Sequence, residues 1–289
     1  MGATVPDFLY IGTRKSASTW LYNILAIHPQ VYLPASKGVY FFDQHFANGH
    51  EWYLSHFAGA THEVAVGELS HSYLSSPDVP ERIARVNRQM RLLACLREPV
   101  DRAFSEYLDV LKNGRFDGSF EAALDRFPIL LERGRYATHL HRYIETFGRE
   151  QLLVQLLDDL REDSQGYAAK VFDFIGVDCI RLPPVAMRGR MPASEPRNRA
   201  VASAAKRASR LATRIGLQRV RSRVKRSAPI RHALYRPYTK DDRPQLDPQI
   251  AAQLKAEYAP EVQALDSLLG TSTASRWGYQ PSGSAASRS

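Results

Sequence analysis

Three groups of side chains in this sequence have the types and spacing to do chemistry. Arg14-Lys15-Ser16-Ala17-Ser18-Thr19-Trp20 packs two cations and three hydroxyls into one short stretch. Mobile positive charge beside clustered O–H donors is what a phosphate or sulfate group needs. Arg97 and Ser105, eight residues apart, offer a planar guanidinium fork and a neutral donor, a pair suited to a second dianion. The groups able to accept a proton are His71, Glu68 and Asp43, with His45 a weaker candidate. Imidazole leads among them, because its ordinary pKa of about 6.5 suits proton abstraction near neutral pH.

Each group needs an element to hold it. Phe8-Leu9-Tyr10-Ile11 is an apolar run of strand length that breaks at Gly12. From Ser18 onward Trp20, Leu21, Ile24, Leu25 and Ile27 fall at helical spacing until His28-Pro29. A strand turning directly into a helix leaves the first-turn N–H groups unpaired, and with the helix dipole they favour an anion. A Walker loop would read G-x-x-x-x-G-K-[ST]. Counted from Gly12, the slots of its second Gly, its Lys and its Ser/Thr hold Ala17, Ser18 and Thr19, and the lysine comes early, at Lys15. That spacing disfavours an ordinary ATP or GTP site. A solvated strand–turn–helix is the plain alternative for the loop taken alone.

The same alternation continues down the chain. Strand patterns fall at 31–34, 64–69, 90–96 and 152–157, and helical patterns at 49–57, 78–87, 100–111, 119–131, 136–147, 164–175 and 247–269. The order predicts an α/β fold: a single P-loop-like domain over residues 1–280, with a central parallel sheet, helices on both faces and extra C-terminal helices. Ligands in such folds bind at the carboxyl ends of the strands, where the Gly12 loop, His71 and Arg97 all fall. Residues 281–289, rich in Ser, Gly and Ala, read as a disordered tail.

The motifs resemble those of sulfotransferases that use 3′-phosphoadenosine 5′-phosphosulfate (PAPS). Arg14 to Trp20 looks like the family's 5′-phosphosulfate loop, R-K-x-G-T-T or P-K-S-G-T-T-W, with Ala17-Ser18 where Gly-Thr is usual. Arg97-Glu98-Pro99 followed by Ser105 is similar to the family's 3′-phosphate signature, an Arg at a strand end with a Ser eight residues on. The resemblance is to the bacterial and Golgi carbohydrate-type branch, over about Pro6 to Gly278. Phe41-Phe42-Asp43 looks like H-F-F-D, and Trp52-Tyr53-Leu54, residues 75–82 and Gly134-Arg135-Tyr136 resemble stretches of heparan sulfate 3-O-sulfotransferases. It implies PAPS as co-substrate, no metal, and in-line sulfuryl transfer to a hydroxyl of a glycan, glycolipid or small natural product. Arg14, Lys15, Ser16, Ala17, Ser18, Thr19, Trp20, Arg97 and Ser105 would bind the co-substrate, and Lys15 would also stabilise the leaving oxygen. A basic loop over the 3′-phosphate in relatives points to Arg197.

The departures concern the proton. Many relatives carry K-E-x-H-F-F-D, whose Glu is the base; here Lys37-Gly38-Val39-Tyr40 stands in its place. The catalytic candidates are therefore Lys15, His71, Glu68 and Asp43, with His71 preferred because Ser70-His71 resembles the T-H-L-P placement of cytosolic sulfotransferases. A chain that kept the nucleotide site but lost the base would bind PAPS without transferring sulfate. A P-loop kinase is the weaker rival.

Composition bounds the rest. With 289 residues and 44% hydrophobic content the chain can bury a sizeable core. No run approaches the roughly 18–20 apolar residues of a membrane span, and no secretory signal is evident, so a cytoplasmic protein is expected. Cys95 and Cys179 sit in apolar runs, form no ligand or disulfide pattern, and read as buried thiols. No His/Cys/Asp cluster has metal-ligand spacing. Residues 197–240 hold fourteen Lys and Arg and no Asp or Glu, so the net +9 belongs to that basic, helix-patterned segment and the remainder carries −5. Such a charge run is a solvated helix face, or, over 199–226, a surface for an anionic membrane or an acidic glycan. Nucleic acid is a poorer match, because the charge is one segment's and not the domain's.

Overall fold

The structure, a computed structural model, describes residues 4–184, 194–196, 235–237 and 244–279. Five parallel strands form the central sheet: β1 (Phe8–Gly12), β2 (Val31–Tyr32), β3 (Ala65–Leu69), β4 (Arg91–Leu96) and β5 (Leu152–Leu156), in the order β2-β3-β1-β4-β5. β1 lies at the centre, paired with β3 through Leu9↔Glu68 and with β4 through Leu9↔Leu92. Every residue of β1 is buried, as its unbroken apolar run requires.

Side chains alternate along a strand, so β1 divides its residues between two cores. Leu9 and Ile11 face one, with α3 (Val79–Val86), α4 (Pro99–Lys112), α7 (Tyr136–Phe147) and the long α10 (Pro248–Leu269). Phe8 and Tyr10 face the other, filled by α1 (Ser18–Ala26) and α9 (Ser164–Ile175). The chain leaves β1 toward β3 on one side and returns to β4 on the other. The carboxyl end of β1 is therefore the switch point where a crevice opens.

α2 (Gly49–Leu54) carries the Trp52-Tyr53 pair. The expected helix at 119–131 is two, α5 (Phe120–Arg126) and α6 (Ile129–Glu132), because Pro128 lacks the N–H to continue the first and the residue before it leaves helical geometry. The strand expected to reach Leu157 ends at Leu156, and α8 (Leu157–Glu162) follows at once, with Asp159 accepting from the Leu156 N–H at 3.0 Å. Gly176 closes α9 in the left-handed conformation, as the sequence indicates. A short antiparallel pair, β6 (Ser194–Pro196) and β7 (Tyr235–Pro237), puts a strand inside the segment read as helical. The rest of 197–240, Arg197 included, and the tail 281–289 lie outside the described residues. Cys95 is buried, but Cys179 is exposed. α11 (Thr273–Arg276) is the last described helix, and Trp277 donates to Asp158 at 2.9 Å. No described helix is long and apolar enough to cross a membrane.

Candidate active site

The loop between β1 and α1 is built from its own side chains. The Thr13 N–H and hydroxyl both donate to the Cys95 carbonyl on β4, at 2.9 and 3.2 Å. From beneath, the buried Tyr10 hydroxyl donates to the carbonyls of Thr13 and Ser16, at 3.1 and 3.0 Å. The Ser16 hydroxyl meets that of Thr13 at 2.7 Å and is fully buried. Ser16 thus spends its side chain inside the loop, leaving its N–H for a ligand. Lys15 and Ala17 take left-handed backbone, φ 68° and 57°. Such turns aim successive N–H groups at one point. Ala17 is also the N-cap of α1, where no side chain caps the helix. The first-turn N–H groups are left for an anion.

Cations surround this turn. Lys15 Nζ lies 3.6 Å from Asp109 Oδ1, and Arg14 Nε lies 2.9 Å from Glu106 Oε1. Both carboxylates belong to α4, the helix that carries Ser105. Glu106 is buried and also holds Arg102, at 2.6 Å, and Arg133. Arg14 therefore fastens the loop to α4 as well as charging it. Arg97 leaves the end of β4, the strand beside β1. Its carbonyl accepts from Tyr136 at 2.7 Å and its guanidinium reaches Asp101 at 3.2 Å. Glu98 caps α4 by accepting from the Asp101 N–H at 2.6 Å, with Pro99 at the first turn.

Lys37 is the cation the sequence reading passed over. Its Nζ donates to Thr19 Oγ1 at 2.6 Å and Ser18 Oγ at 3.2 Å. Burial, and then the charge of Lys15, pull its pKa down to about 8. Two lysines thus serve the loop, Lys15 from within it and Lys37 from the segment after β2. The signal was present in Lys37-Gly38, but only the residues after the lysine bore on the expected base. Trp20, expected to touch the co-substrate, is buried and packs edge-on against Tyr167, ring centres 5.6 Å apart.

The proton acceptors differ sharply in setting. Glu68, on β3, is 1% exposed and accepts from the Val39 N–H at 3.0 Å, Ser70 at 2.6 Å and Tyr73 at 2.6 Å. Both oxygens are occupied and burial raises its pKa, so it braces the segment over β3. Asp43 accepts from Ser72 at 2.5 Å, while its other oxygen is buried with no hydrogen-bond partner among the described residues. His45 is exposed and lies against Trp52, ring centres 5.4 Å apart. His71 Nε2 meets the Tyr40 hydroxyl at 2.9 Å, and its Nδ1 is buried with no hydrogen-bond partner among the described residues. Burial, and then the charges of Arg14, Lys37 and Arg133, hold its pKa near about 3. The ring is neutral at pH 7, the form able to take a proton. An anion bound among those cations would raise its basicity. Among the described residues no cluster of three His, Cys, Asp or Glu groups is placed to hold a metal.

The arrangement can hold one anion on the loop and a second at Arg97, with imidazole and carboxylate nearby. A sequence model described as "Sulfotransferase domain" matches residues 5–265. The membrane-associated sulfotransferase kil1 of Dictyostelium discoideum is 35% identical over 106 residues, 36% of this chain and 22% of that protein. Heparan sulfate glucosamine 3-O-sulfotransferase 5 of Mus musculus is 32% identical over 161 residues, 51% of this chain and 46% of its own length. The chain spans less than half the length of these curated relatives. Among solved structures, a sulfotransferase from Alicyclobacillus acidocaldarius superposes with TM-score 0.70 at 23% identity, covering 95% of this chain and 99% of that one. That likeness is one of fold.

Proposed function

The chain belongs to the sulfotransferase domain family, and on that premise we propose that it moves a sulfuryl group from PAPS to a hydroxyl of a glycan. The observation that carries this reading is the uncapped, left-handed loop at the end of β1, flanked by Lys15 and Lys37 and neighboured by Arg97 at the end of β4. The residues fit such a co-substrate: N–H groups and lysines for the sulfated 5′ end, the Arg97 fork and Ser105 for the 3′-phosphate. PAPS, when bound, supplies the activated sulfuryl group. The chain supplies position and charge, the main contributions where a group is passed in line between two oxygens. Lys15 and Lys37 meet the charge that grows on the departing phosphate side. His71 is the preferred sink for the acceptor's proton, with Asp43 in reserve.

A glycan acceptor follows from similarity to relatives whose names specify heparan sulfate glucosamine. We further infer a cytoplasmic protein that reaches anionic membrane surfaces through basic residues 199–226. The discriminating experiment is calorimetric titration with adenosine 3′,5′-diphosphate, with ADP as control, followed by transfer from ³⁵S-labelled PAPS to glycans. Micromolar binding of the first nucleotide alone, with label on a glycan, is expected. Equal affinity for both would mean that Arg97 and Ser105 do not read a 3′-phosphate. Selective binding without transfer to any acceptor would reduce the chain to a nucleotide-binding protein.

A further inference from the structure

We propose that Tyr40 is the residue that takes the acceptor's proton, with His71 behind it as the store. The inference rests on the sulfotransferase reading and deepens it. Its first ground is access. His71 has two ring nitrogens: Nε2 is closed by the Tyr40 hydroxyl at 2.9 Å, and Nδ1 is buried. A proton arriving from outside meets Tyr40 Oη first.

The second ground is the space the phenol occupies. A Cβ built on Gly38 would lie 2.4, 2.6 and 2.9 Å from Cε2, Cζ and the hydroxyl of Tyr40. A side chain at 38 and the Tyr40 ring in its present position exclude each other. The bare glycine is what lets the phenol lie back toward its own segment and reach His71.

The third ground is the rigidity given to a strained residue. Tyr40 stands at φ 53°, a conformation costing a non-glycine residue about 1 kcal/mol or more. Its N–H donates to Ser70 Oγ at 2.9 Å, and its carbonyl accepts from Gln44 and His45 at 3.0 and 3.1 Å. Ser70 is itself held by Glu68 at 2.6 Å. Strain kept in place by several bonds is a mark of a working residue. Three positions back, Lys37 is fastened to the hydroxyls of the anion loop, which ties the segment carrying Tyr40 to that loop.

The acceptor oxygen bonds to sulfur while the sulfur–bridging-oxygen bond breaks, its electron pair leaving on the 5′-phosphate. The acceptor's proton passes to Tyr40 Oη as the phenol's own proton moves to His71 Nε2. Tyr40 ends neutral and His71 ends as imidazolium, to be discharged to solvent.

Tyr40→Phe keeps the ring and removes only the relay. It should bind adenosine 3′,5′-diphosphate within about twofold of wild type by calorimetry. Its turnover of PAPS, to water and to glycan acceptors, should fall roughly 100-fold or more, the usual scale of general acid–base assistance. In ¹⁵N-labelled protein the His71 ring signals should shift on that substitution, a readout independent of activity. The double variant Gly38→Glu with Tyr40→Ala places a carboxylate in the vacated space and should recover part of the rate, whereas Gly38→Glu alone should not. Turnover of Tyr40→Phe within threefold of wild type overturns the relay. So do unmoved His71 signals, and so does a wild-type chain that binds the nucleotide selectively but never consumes PAPS. Failure of selective binding would instead remove the sulfotransferase reading beneath it.

Discussion

Two residues of the anion loop set stability against function. Ala17 holds left-handed backbone, where its Cβ crowds the following peptide. Glycine there relieves that strain but gives the unfolded chain more freedom, and the two effects partly cancel. Ala17→Gly should therefore stabilise the protein by about 1 kcal/mol or less, read as a higher midpoint in urea, with nucleotide affinity kept. Lys37 makes a larger case. Its pKa is about 8 in the folded chain, below its ordinary value, so the folded state holds that proton less well than the unfolded state. The penalty is full below pH 8 and fades as pH rises toward about 10.4, the unfolded value. Lys37→Met should raise stability at pH 7 by roughly 1–3 kcal/mol and add nothing near pH 11. The same substitution should weaken binding of adenosine 3′,5′-diphosphate. A destabilised Met variant at pH 7 would show that Lys37 serves packing and not anion recognition.

At the scale of elements, Glu106 links three pieces of chain. It takes Arg14 from the loop, Arg102 from its own helix and Arg133 from the turn after α6. Arg102, wholly buried, also donates to the Leu130 carbonyl. All three arginines share this carboxylate, Arg14 also reaching Asp109 at 3.7 Å, and removing its charge would leave the wholly buried Arg102 cation without compensation. Breaking a buried pair from one side costs about 3–5 kcal/mol. Glu106→Gln keeps the shape and some hydrogen bonds, so a loss of about 2–4 kcal/mol is expected. In a chain of this size that lowers the thermal midpoint by several degrees. Because Arg14 would keep only its longer contact with Asp109, the loop should lose order along with stability. Weakened nucleotide binding at temperatures well below the midpoint would separate that local effect from global unfolding. Arg102 and Glu106, four apart on one helix, hint at this cluster before any fold is known. Nothing local hints at Arg133, which arrives through tertiary packing.

For the whole molecule, the sheet and the anion loop were legible because each depends on local pattern. Apolar runs of strand length alternate with helical stripes, and Gly12 to Trp20 announces its own turn. What escaped depends on contacts between distant segments: Lys37 reaching Ser18 and Thr19, Tyr40 filling the place of a side chain at Gly38, Glu68 consumed by three donors. No spacing encodes these. The folded molecule's response to acid is of the same kind, since it depends on where His71 is buried. With a folded pKa of about 3, against about 6.5 unfolded, native His71 stays unprotonated where the unfolded chain binds a proton. Stability from this group is full above pH 6.5 and is lost as pH falls toward 3, by about 1.4 kcal/mol per pH unit. Buried His139 is shifted in the same direction and adds to the slope. Carboxylates titrate over part of this range too, but they do so alike in wild type and in His71→Gln. The difference in unfolding free energy between the two proteins isolates the histidine. Urea unfolding at pH 7.5, 6, 5 and 4.5 should show that difference moving steadily in favour of the glutamine variant below pH 6.5. A difference independent of pH would mean that His71 titrates alike in the folded and unfolded chain, so that its burial behind Tyr40 does not set its protonation state.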